Sequence, residues 1–364
     1  MQGVLMTLAA WLHTLDPFAL RITEDFGIRW YGLSYVAGFM IAYVVLKWLA
    51  KHQLTVIPRD RVGDAIVVFV LGILIGGRLG YVLVYEPSLA WTLMDTPPWW
   101  GVLAINRGGM ASHGGMAGLI LAAWRVSRGW KQADGTVAGR CSVLHVMDVL
   151  ALVAPFGVFL GRIANFVNGE LLGRVVTTPG APGPWWAVQF PQELHGWLGP
   201  GRRGGHAPAL TADQEGQLWA LASKVALPGD SFARALDRLT ARAAEFAAEI
   251  KPLLSSRHPS QLYQAAAEGV VIGVFLWLAA AKSRHAGYIS ALFFIGYGLL
   301  RVLTEIWRLP DPQFGEAGRP WGLSRGQWLS VWMVLGGALL LGLSKRSPGR
   351  WPGWRRGVGP TAPG

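Results

Sequence analysis

Long apolar runs separated by short polar segments dominate the chain. Seven of them are long enough to cross about 30 Å of hydrocarbon as helices. They lie near residues 30 to 50, 63 to 84, 108 to 124, 143 to 161, 262 to 281, 288 to 307 and 327 to 343. The pattern predicts an all-α polytopic membrane protein, a bundle of about seven transmembrane helices.

The segments outside these runs have three different characters. Residues 1–29 contain a short apolar stretch that resembles neither a cleaved signal nor a span, so we expect an N-terminal interfacial segment. The pattern of residues 174–257 predicts an insertion made of loops and one amphipathic helix. The helix is expected near 231–250, where apolar residues recur at steps of three and four. Residues 344–364, rich in Gly and Pro, predict a disordered tail. The predicted spans therefore form two groups, 30–173 and 258–343.

Basic residues cluster after every second predicted span. The positive-inside rule places these loops in the cytoplasm, which puts the N-terminus and the 174–257 insertion outside and the C-terminus inside. The clusters are Lys47, Lys51, Arg59 and Arg61; Arg125, Arg128, Lys131 and Arg140; Lys282 and Arg284; and Lys345, Arg346, Arg350, Arg355 and Arg356.

Composition agrees with a membrane protein and excludes other classes. Of the 364 residues, 52% are hydrophobic and 15% are charged. The net charge of +12 comes from short clusters between apolar runs and forms no basic domain, so we expect no nucleic-acid partner. The single cysteine, Cys141, excludes an internal disulfide and an all-thiolate metal site.

Polar side chains from six predicted helices share one depth, the outer half of the bilayer. A charge at mid-membrane costs at least about 2.5 kcal/mol, so several at one level favour a functional site. The side chains are Tyr31, Arg78, His113, Arg162, Asn165, Glu268, Arg301 and Glu305.

Each of these residues also has a structural interpretation. Arg301 and Glu305 are spaced to neutralise each other on one helix face. Arg78 is suited to stabilise a neighbouring carbonyl group, and His113 to be a satisfied core histidine. Hydrogen bonds from Asn165 and its neighbour Asn168 can join helices.

Glycines accompany the polar residues. Small residues every fourth position let helices approach closely, and they recur at Gly72, Gly76 and Gly80, at Gly114 and Gly118, and at Gly157 and Gly161. Gly169 and Gly173, which follow the fourth run, predict irregular backbone lining a cavity.

A cluster of guanidinium groups at headgroup depth suits a phosphate, because Arg presents a planar fork to its oxygens. The predicted ligand is an anionic phospholipid. An enzyme, a lipid transporter or flippase, and a structural scaffold all remain possible from residue chemistry alone. A path across the membrane would need more polar residues in its inner half, where Asp148 is the main one.

Seven collinear segments make the chain similar to the prolipoprotein diacylglyceryl transferase family. They are spread along most of the chain outside the insertion and the tail. Ala164 and Leu172 stand where many family members have Gly and an aromatic residue. The segments are IRWYGLSY at 28–35, GGRLGYVLVY at 76–85, GGMASHGG at 108–115, GRIANFVNGELLGR at 161–174, RHPSQLYQ at 257–264, GYGLLRVLTEIWRLPDPQFG at 296–315 and LSRGQWLS at 323–330.

The resemblance implies an activity and a site. The activity is transfer of the diacylglyceryl group of phosphatidylglycerol to the lipobox cysteine of a prolipoprotein signal peptide, in the bacterial inner membrane and without metal or cofactor. The match to the family motifs implies importance for Tyr31, His113, Arg162, Asn165, Glu170, Gly173, Arg301 and Glu305. We expect the catalytic residues to be Tyr31, His113, Arg162, Arg301 and Glu305. We expect the lipid-binding residues to be Arg78, Arg162, Asn165, Asn168, Glu170, Gly173, Tyr297 and Arg301.

Activation of the thiol needs a base. His113 is the favoured candidate, because the intrinsic pKa of an imidazole lies near neutrality. Glu305, Glu170 and activation by the field of the arginines compete with it. Arg162 and Arg301 are expected to stabilise the leaving phosphate, and Tyr31 and Asn165 to bind lipid oxygens.

Overall fold

Helices account for most of the described chain. The computed structural model describes residues 10–23, 26–105, 108–197, 208, 210–309, 323–347 and 349–354. Its helices are α1 (Trp30–Lys51), α2 (Val62–Val84), α3 (Ser112–Ser127), α4 (Val143–Val167), α5 (Ala212–Val225), α6 (Phe232–Ala241), α7 (Ala247–Ile250), α8 (Ser260–Gln264), α9 (Ile272–Ala279), α10 (Tyr288–Thr304) and α11 (Arg325–Ser344). A π-helix at Ala265–Val271 joins α8 to α9.

Short strands complete the described elements. They are β1 (Trp11–Leu12), β2 (Phe18–Arg21), β3 (Gly27–Arg29), β4 (Trp130–Lys131), β5 (Val137–Ala138), β6 (Val175–Thr177), β7 (Val188–Gln189), β8 (Ser256–Arg257), β9 (Arg284–His285) and β10 (Arg350–Trp351). Four of them form a sheet in the order β1-β7-β8-β6, in which β1 runs parallel to β7 and the other pairs are antiparallel.

Within the described part of the chain, six helical segments are long and apolar enough to span a membrane. They are Trp30–Lys51, Arg59–Val84, Val143–Val167, Ser260–Ala279, Tyr288–Trp307 and Gly326–Ser344. The predicted class of helical, multi-pass membrane protein is therefore confirmed. The run near 108–124 forms α3, whose 16 residues rise only about 24 Å.

The chain divides into two units. The first comprises Met1–Val36, Gly157–Val271 and Tyr297–Met333, and the second comprises Ala37–Phe156, Ile272–Gly296 and Val334–Gly364. The division cuts through long helices, so each unit contains parts of several candidate spans.

In the second unit, α2 and α3 meet backbone to backbone. A Cβ added to Gly76 would overlap the carbonyl oxygen of Gly114, and one added to Gly118 would overlap that of Gly72. Close packing through these glycines is therefore confirmed. The prediction of close packing is wrong for Gly157 and Gly161 of α4, where an added Cβ would meet no described atom within 4 Å.

Asp148 of α4 fixes the start of α10 in the same unit. Its carboxylate accepts hydrogen bonds from the amides of Gly287 and Ser290, at 2.7 and 2.8 Å, and from the Ser290 hydroxyl at 2.8 Å. A buried carboxylate thus satisfies amide groups that the first turn of a helix leaves without intrahelical partners.

The C-terminal segment differs from the predicted disordered tail over its described part. β10 pairs with β9 in an antiparallel arrangement, and Trp351 is fully buried. The Trp351 indole donates to the carbonyl of Ala280 at 2.8 Å. A tryptophan in a Gly- and Pro-rich stretch was the available signal for docking. Residues 355–364 lie outside the described part of the chain.

In the first unit, the insertion helices build a core of their own. The helix predicted near 231–250 forms as α6 and α7, and Leu236, Leu239 and Ile250 are fully buried among residues of α5. α5 begins with a capping box, in which Thr211 and Gln214 satisfy each other's amides. α5 was not predicted from the sequence.

Candidate active site

The loop after α4 has the irregular backbone predicted for it. α4 ends at Val167, and Gly169 and Leu171 then adopt positive φ angles of 65° and 56°. The amide of Glu170 still donates to the carbonyl of Asn165 at 3.0 Å. The segment 168–174, called the signature loop below, therefore turns sharply away from the helix.

Neighbouring segments bind the signature loop tightly at Gly173. Its carbonyl accepts a hydrogen bond from Arg257 Nη1 at 3.1 Å, and its backbone forms an antiparallel bridge with Arg308. A Cβ at this position would overlap the carbonyl oxygen of His258. Gly173 is thus required by close backbone approach.

The start of α8 holds the middle of the same loop. Ser260 Oγ donates to the carbonyl of Leu171 at 3.2 Å, and Gln261 Nε2 donates to that of Glu170. Both side chains are fully buried. Part of the RHPSQLYQ segment therefore serves to position the signature loop.

Glu268 links the two arginines that the sequence placed at one depth. Its Oε2 accepts a hydrogen bond from Arg162 Nη2 at 3.0 Å, and its Oε1 lies 3.9 Å from Arg301 Nη1. Thr304 Oγ1 donates to the same Oε1 at 2.8 Å. The Tyr297 hydroxyl also bonds with Arg162. Two of the predicted arginines, from separate helices, therefore meet at one carboxylate.

Burial differs between the members of this cluster. Glu268 has no exposed surface, whereas the side chains of Arg162 and Arg301 keep 16% and 12% of theirs. The carboxylate that the two arginines share is thus buried more deeply than the arginine side chains that contact it. The predicted catalytic and lipid-binding residues did not include Glu268 or Thr304, although Glu268 was among the polar side chains placed at the shared depth.

Glu305 forms a second centre of charge beside the first. Its Oε2 lies 2.6 Å from Arg301 Nη1, and Arg308 Nη1 is 3.4 Å from each of its oxygens. Ser324 Oγ donates to Oε1 at 3.1 Å. Arg308 was not predicted as a site residue. Because its backbone forms the bridge with Gly173, it connects the Glu305 charges to the signature loop.

The side-chain amides of Asn165 and Asn168 both point to one carboxylate. Each Nδ2 lies 3.4 Å from an oxygen of the exposed Glu170. Tyr31 in the first turn of α1 contacts the Tyr35 ring at 5.3 Å, and Tyr35 interacts electrostatically with Glu170. Asn165 and Asn168 thus form a polar group around Glu170.

Arg78 belongs to the second unit and has a different environment from the predicted one. Its guanidinium donates to the carbonyls of Val102, Gly108, Gly109 and Gly101 at 2.6 to 2.9 Å. The residue is 5% exposed. These contacts match the structural alternative, in which Arg78 stabilises neighbouring carbonyl groups and thereby orders the loop before α3.

His113 also belongs to the second unit. It lies in the first turn of α3, its side chain is exposed, and its ring centroid is 5.7 Å from that of Tyr85. His258 of the first unit, by contrast, packs on Trp186 at 5.0 Å, and burial together with the nearby Arg174 lowers its pKa.

Comparison with known proteins identifies a family. The model of the family described as prolipoprotein diacylglyceryl transferase matches residues 17–343. A phosphatidylglycerol–prolipoprotein diacylglyceryl transferase of Bdellovibrio bacteriovorus is 40% identical over 368 residues, which cover 95% of this chain and 97% of the relative. Proteins of the same name from Paraburkholderia phymatum and Burkholderia lata are 36% and 37% identical, covering 94% and 90% of this chain and 97% and 93% of their own lengths.

Proposed function

The chain belongs to the prolipoprotein diacylglyceryl transferase family and is a transferase, and we propose that it moves the diacylglyceryl group of phosphatidylglycerol to the lipobox cysteine of prolipoproteins. The two substrates are those for which its relatives are named. The observation that carries the proposal is the pairing of Arg162 and Arg301 at one buried carboxylate, with both arginine side chains partly exposed.

The reaction breaks a carbon–oxygen bond of the lipid. The cysteine sulfur, as thiolate, attacks the glyceryl carbon next to the phosphate. The electron pair of the broken bond stays on the phosphate oxygen, and glycerol phosphate leaves with two negative charges. Arg162 and Arg301 stabilise this growing charge. Their planar donors are already held in position by the protein, so little free energy is spent on reorienting them during the reaction.

His113 takes the thiol proton in this proposal and passes it to solvent. Its exposed position at the outer start of α3 lets a substrate approach the ring. The competing carboxylate of Glu305 has its oxygens occupied by Arg301, Arg308 and Ser324. An exposed imidazole is a better candidate for a general base than a carboxylate whose oxygens already accept hydrogen bonds or ion pairs from three side chains.

The groups around Glu170 orient the lipid. The signature loop, fixed at Gly173, carries Glu170 between the amides of Asn165 and Asn168. In the proposal this polar group and Tyr31 bind the glycerol and ester oxygens, and Tyr297 supports Arg162. Arg78 acts on the loop backbone instead of the lipid.

The membrane arrangement is part of the proposal. We place seven spans in the bacterial inner membrane by counting α3, with the N-terminus and the 174–257 insertion outside and the C-terminus inside. The basic loops and the apolar helices support this topology. The site then opens to the outer leaflet, where a membrane-inserted signal peptide presents its cysteine.

Incubation of the purified protein with phosphatidylglycerol and a lipobox peptide tests the activity. Mass spectrometry should find a peptide heavier by one diacylglyceryl group, together with free glycerol phosphate. A peptide with Ser at the lipobox position should stay unmodified. Lipid that moves between leaflets without any heavier peptide would favour a transporter and contradict the proposal.

A further inference from the structure

The buried position of Glu268 raises a question that the transfer reaction alone does not answer. A carboxylate between two phosphate-binding guanidinium groups weakens their attraction for any anion. Arg162 and Arg301 nevertheless both contact it, and Thr304 holds one of its oxygens at 2.8 Å. A site built only for tight lipid binding would lack this negative charge.

The helix that carries Glu268 fixes its distance from Arg162. Glu268 lies within the π-helix Ala265–Val271, and the next residue, Gly269, packs directly on α4. A Cβ at Gly269 would lie 2.6 Å from the Cβ and 3.0 Å from the Cα of Phe159. Because Phe159 and Arg162 are one turn apart on α4, the close contact keeps the carboxylate next to the guanidinium.

The charges of substrate and product suggest what the carboxylate does. Phosphatidylglycerol is a phosphodiester with one negative charge, whereas glycerol phosphate is a monoester whose second pKa is about 6. The electrostatic cost that a nearby carboxylate imposes is proportional to the charge of the ligand. The same carboxylate therefore weakens product binding about twice as much, in free energy, as it weakens lipid binding.

We propose that Glu268 is a specificity-determining residue that tunes the arginine pair to singly charged phosphodiesters and promotes release of the doubly charged product. This proposal rests on the proposed function, because it takes its two ligands from that reaction. Thr304 and the Gly269 contact keep the carboxylate in place behind the guanidinium groups.

Two inhibitors that differ by one charge test the proposal. They are glycerol phosphate and its methyl ester, each titrated at pH 8 against lipidation by the wild type and by Glu268→Gln. Glutamine keeps the shape and the acceptor for Thr304 but removes the charge. If the methyl ester binds about threefold more tightly to the variant, glycerol phosphate should bind about ninefold more tightly, since the energies scale with charge.

Two variants serve as controls. Thr304→Ser keeps a hydroxyl for Oε1 and leaves the charge, so the ratio of the two inhibition constants should stay at its wild-type value. Glu245→Gln removes a carboxylate from an exposed ion pair with Arg242 in the insertion and should change neither constant. If Glu268→Gln is not recovered from membranes, Glu268→Asp withdraws the charge by one methylene and should shift both constants by smaller factors. The shift for glycerol phosphate should again be about twice that for the methyl ester in free energy.

Equal tightening of both inhibitors, or weaker binding of both, would overturn the role of Glu268. Direct binding measurements replace inhibition if the variant has no turnover. A wild-type protein that produces no lipidated peptide would contradict the proposed function instead, so the two failures are distinguishable.

Discussion

Arg301 Nη1 lies 2.6 Å from Oε2 of Glu305, one helical turn further along the same segment. Taken alone, this pair matches the structural interpretation in which two charges on one helix face neutralise each other. The same Nη1 atom is also 3.9 Å from Oε1 of Glu268, which belongs to a different helix. Arg301 thus bridges two carboxylates, and its geometry serves more than local neutralisation.

Arg301→Lys should lower kcat/KM for lipidation by about 100-fold, the loss expected when one preorganised donor to a developing oxyanion is removed. Lysine keeps the charge but cannot present a planar fork to a carboxylate and a phosphate together. Initial rates with a lipobox peptide measure the effect. Arg234→Lys, on the exposed surface of α6, is the matched control and should keep the wild-type rate. Full activity of Arg301→Lys would contradict the proposed phosphate contact.

Gly173→Ala should abolish lipidation and lower the unfolding temperature. The new methyl group would overlap the His258 carbonyl oxygen and push the signature loop away from the start of α8. Gly216→Ala is the control, because a Cβ there meets no described atom within 4 Å and Ala favours a helix interior by about 1 kcal/mol. That variant should be as active as the wild type and no less stable. Equal behaviour of the two variants would show that Gly173 is not a packing constraint.

Some of these relationships were visible in the sequence. Apolar runs predicted the class of the fold. A segment that crosses hydrocarbon must form its backbone hydrogen bonds internally, as a helix does, and must present apolar side chains to the lipid. The small-residue spacing predicted close packing, which the structure shows for the glycines of α2 and α3 but not for those of α4. The depth of Arg162 and Arg301 predicted that they converge. In each case the signal is local or periodic.

Other relationships depend on contacts between distant residues. Nothing in the local sequence shows that Glu268 would be the shared partner of Arg162 and Arg301, since a π-helix sets its direction. Arg78 has the same residue type and depth as the binding arginines, yet four carbonyl groups surround it. Residue type and depth therefore predict where charges lie, and tertiary contacts decide which of them can bind a ligand.

Glu193→Ala should destabilise the protein by about 3–5 kcal/mol, the usual effect of removing one partner of a buried ion pair. Glu193 Oε1 accepts from Arg257 Nη2 at 2.7 Å, and both side chains are almost completely buried. Because Arg257 also binds the Gly173 carbonyl, activity should fall along with the unfolding temperature. Asp237→Ala removes the exposed partner of His195 and should change neither quantity strongly. If Glu193→Ala lowered the unfolding temperature but left activity unchanged, the ion pair would not control the position of the signature loop.

Acid should weaken the attachment of the N-terminal segment through His13. This side chain is 1% exposed, its Nε2 lies 2.7 Å from the Phe166 carbonyl oxygen, and its amide donates to Gln189. Burial lowers the pKa of His13 below its ordinary value of 6.5, although the bond to Phe166 acts in the opposite direction. The unfolded chain therefore binds a proton at a higher pH than the folded one. By linkage, the contribution of the neutral ring is fully present above pH 6.5 and is lost as pH falls from 6.5 through the lowered pKa.

The difference in unfolding temperature between wild type and His13→Gln, measured from pH 8 to pH 5, reports this contribution. Glutamine can still donate to the Phe166 carbonyl but does not titrate, so its stability should decline less below pH 6.5. His52→Gln, at an exposed position, should follow the wild-type curve. Parallel curves for wild type and His13→Gln would mean that the ring does not change its protonation on unfolding. Because Phe166 adjoins Asn165 at the end of α4, a confirmed pH effect would also predict that acid loosens the helix end from which the signature loop departs.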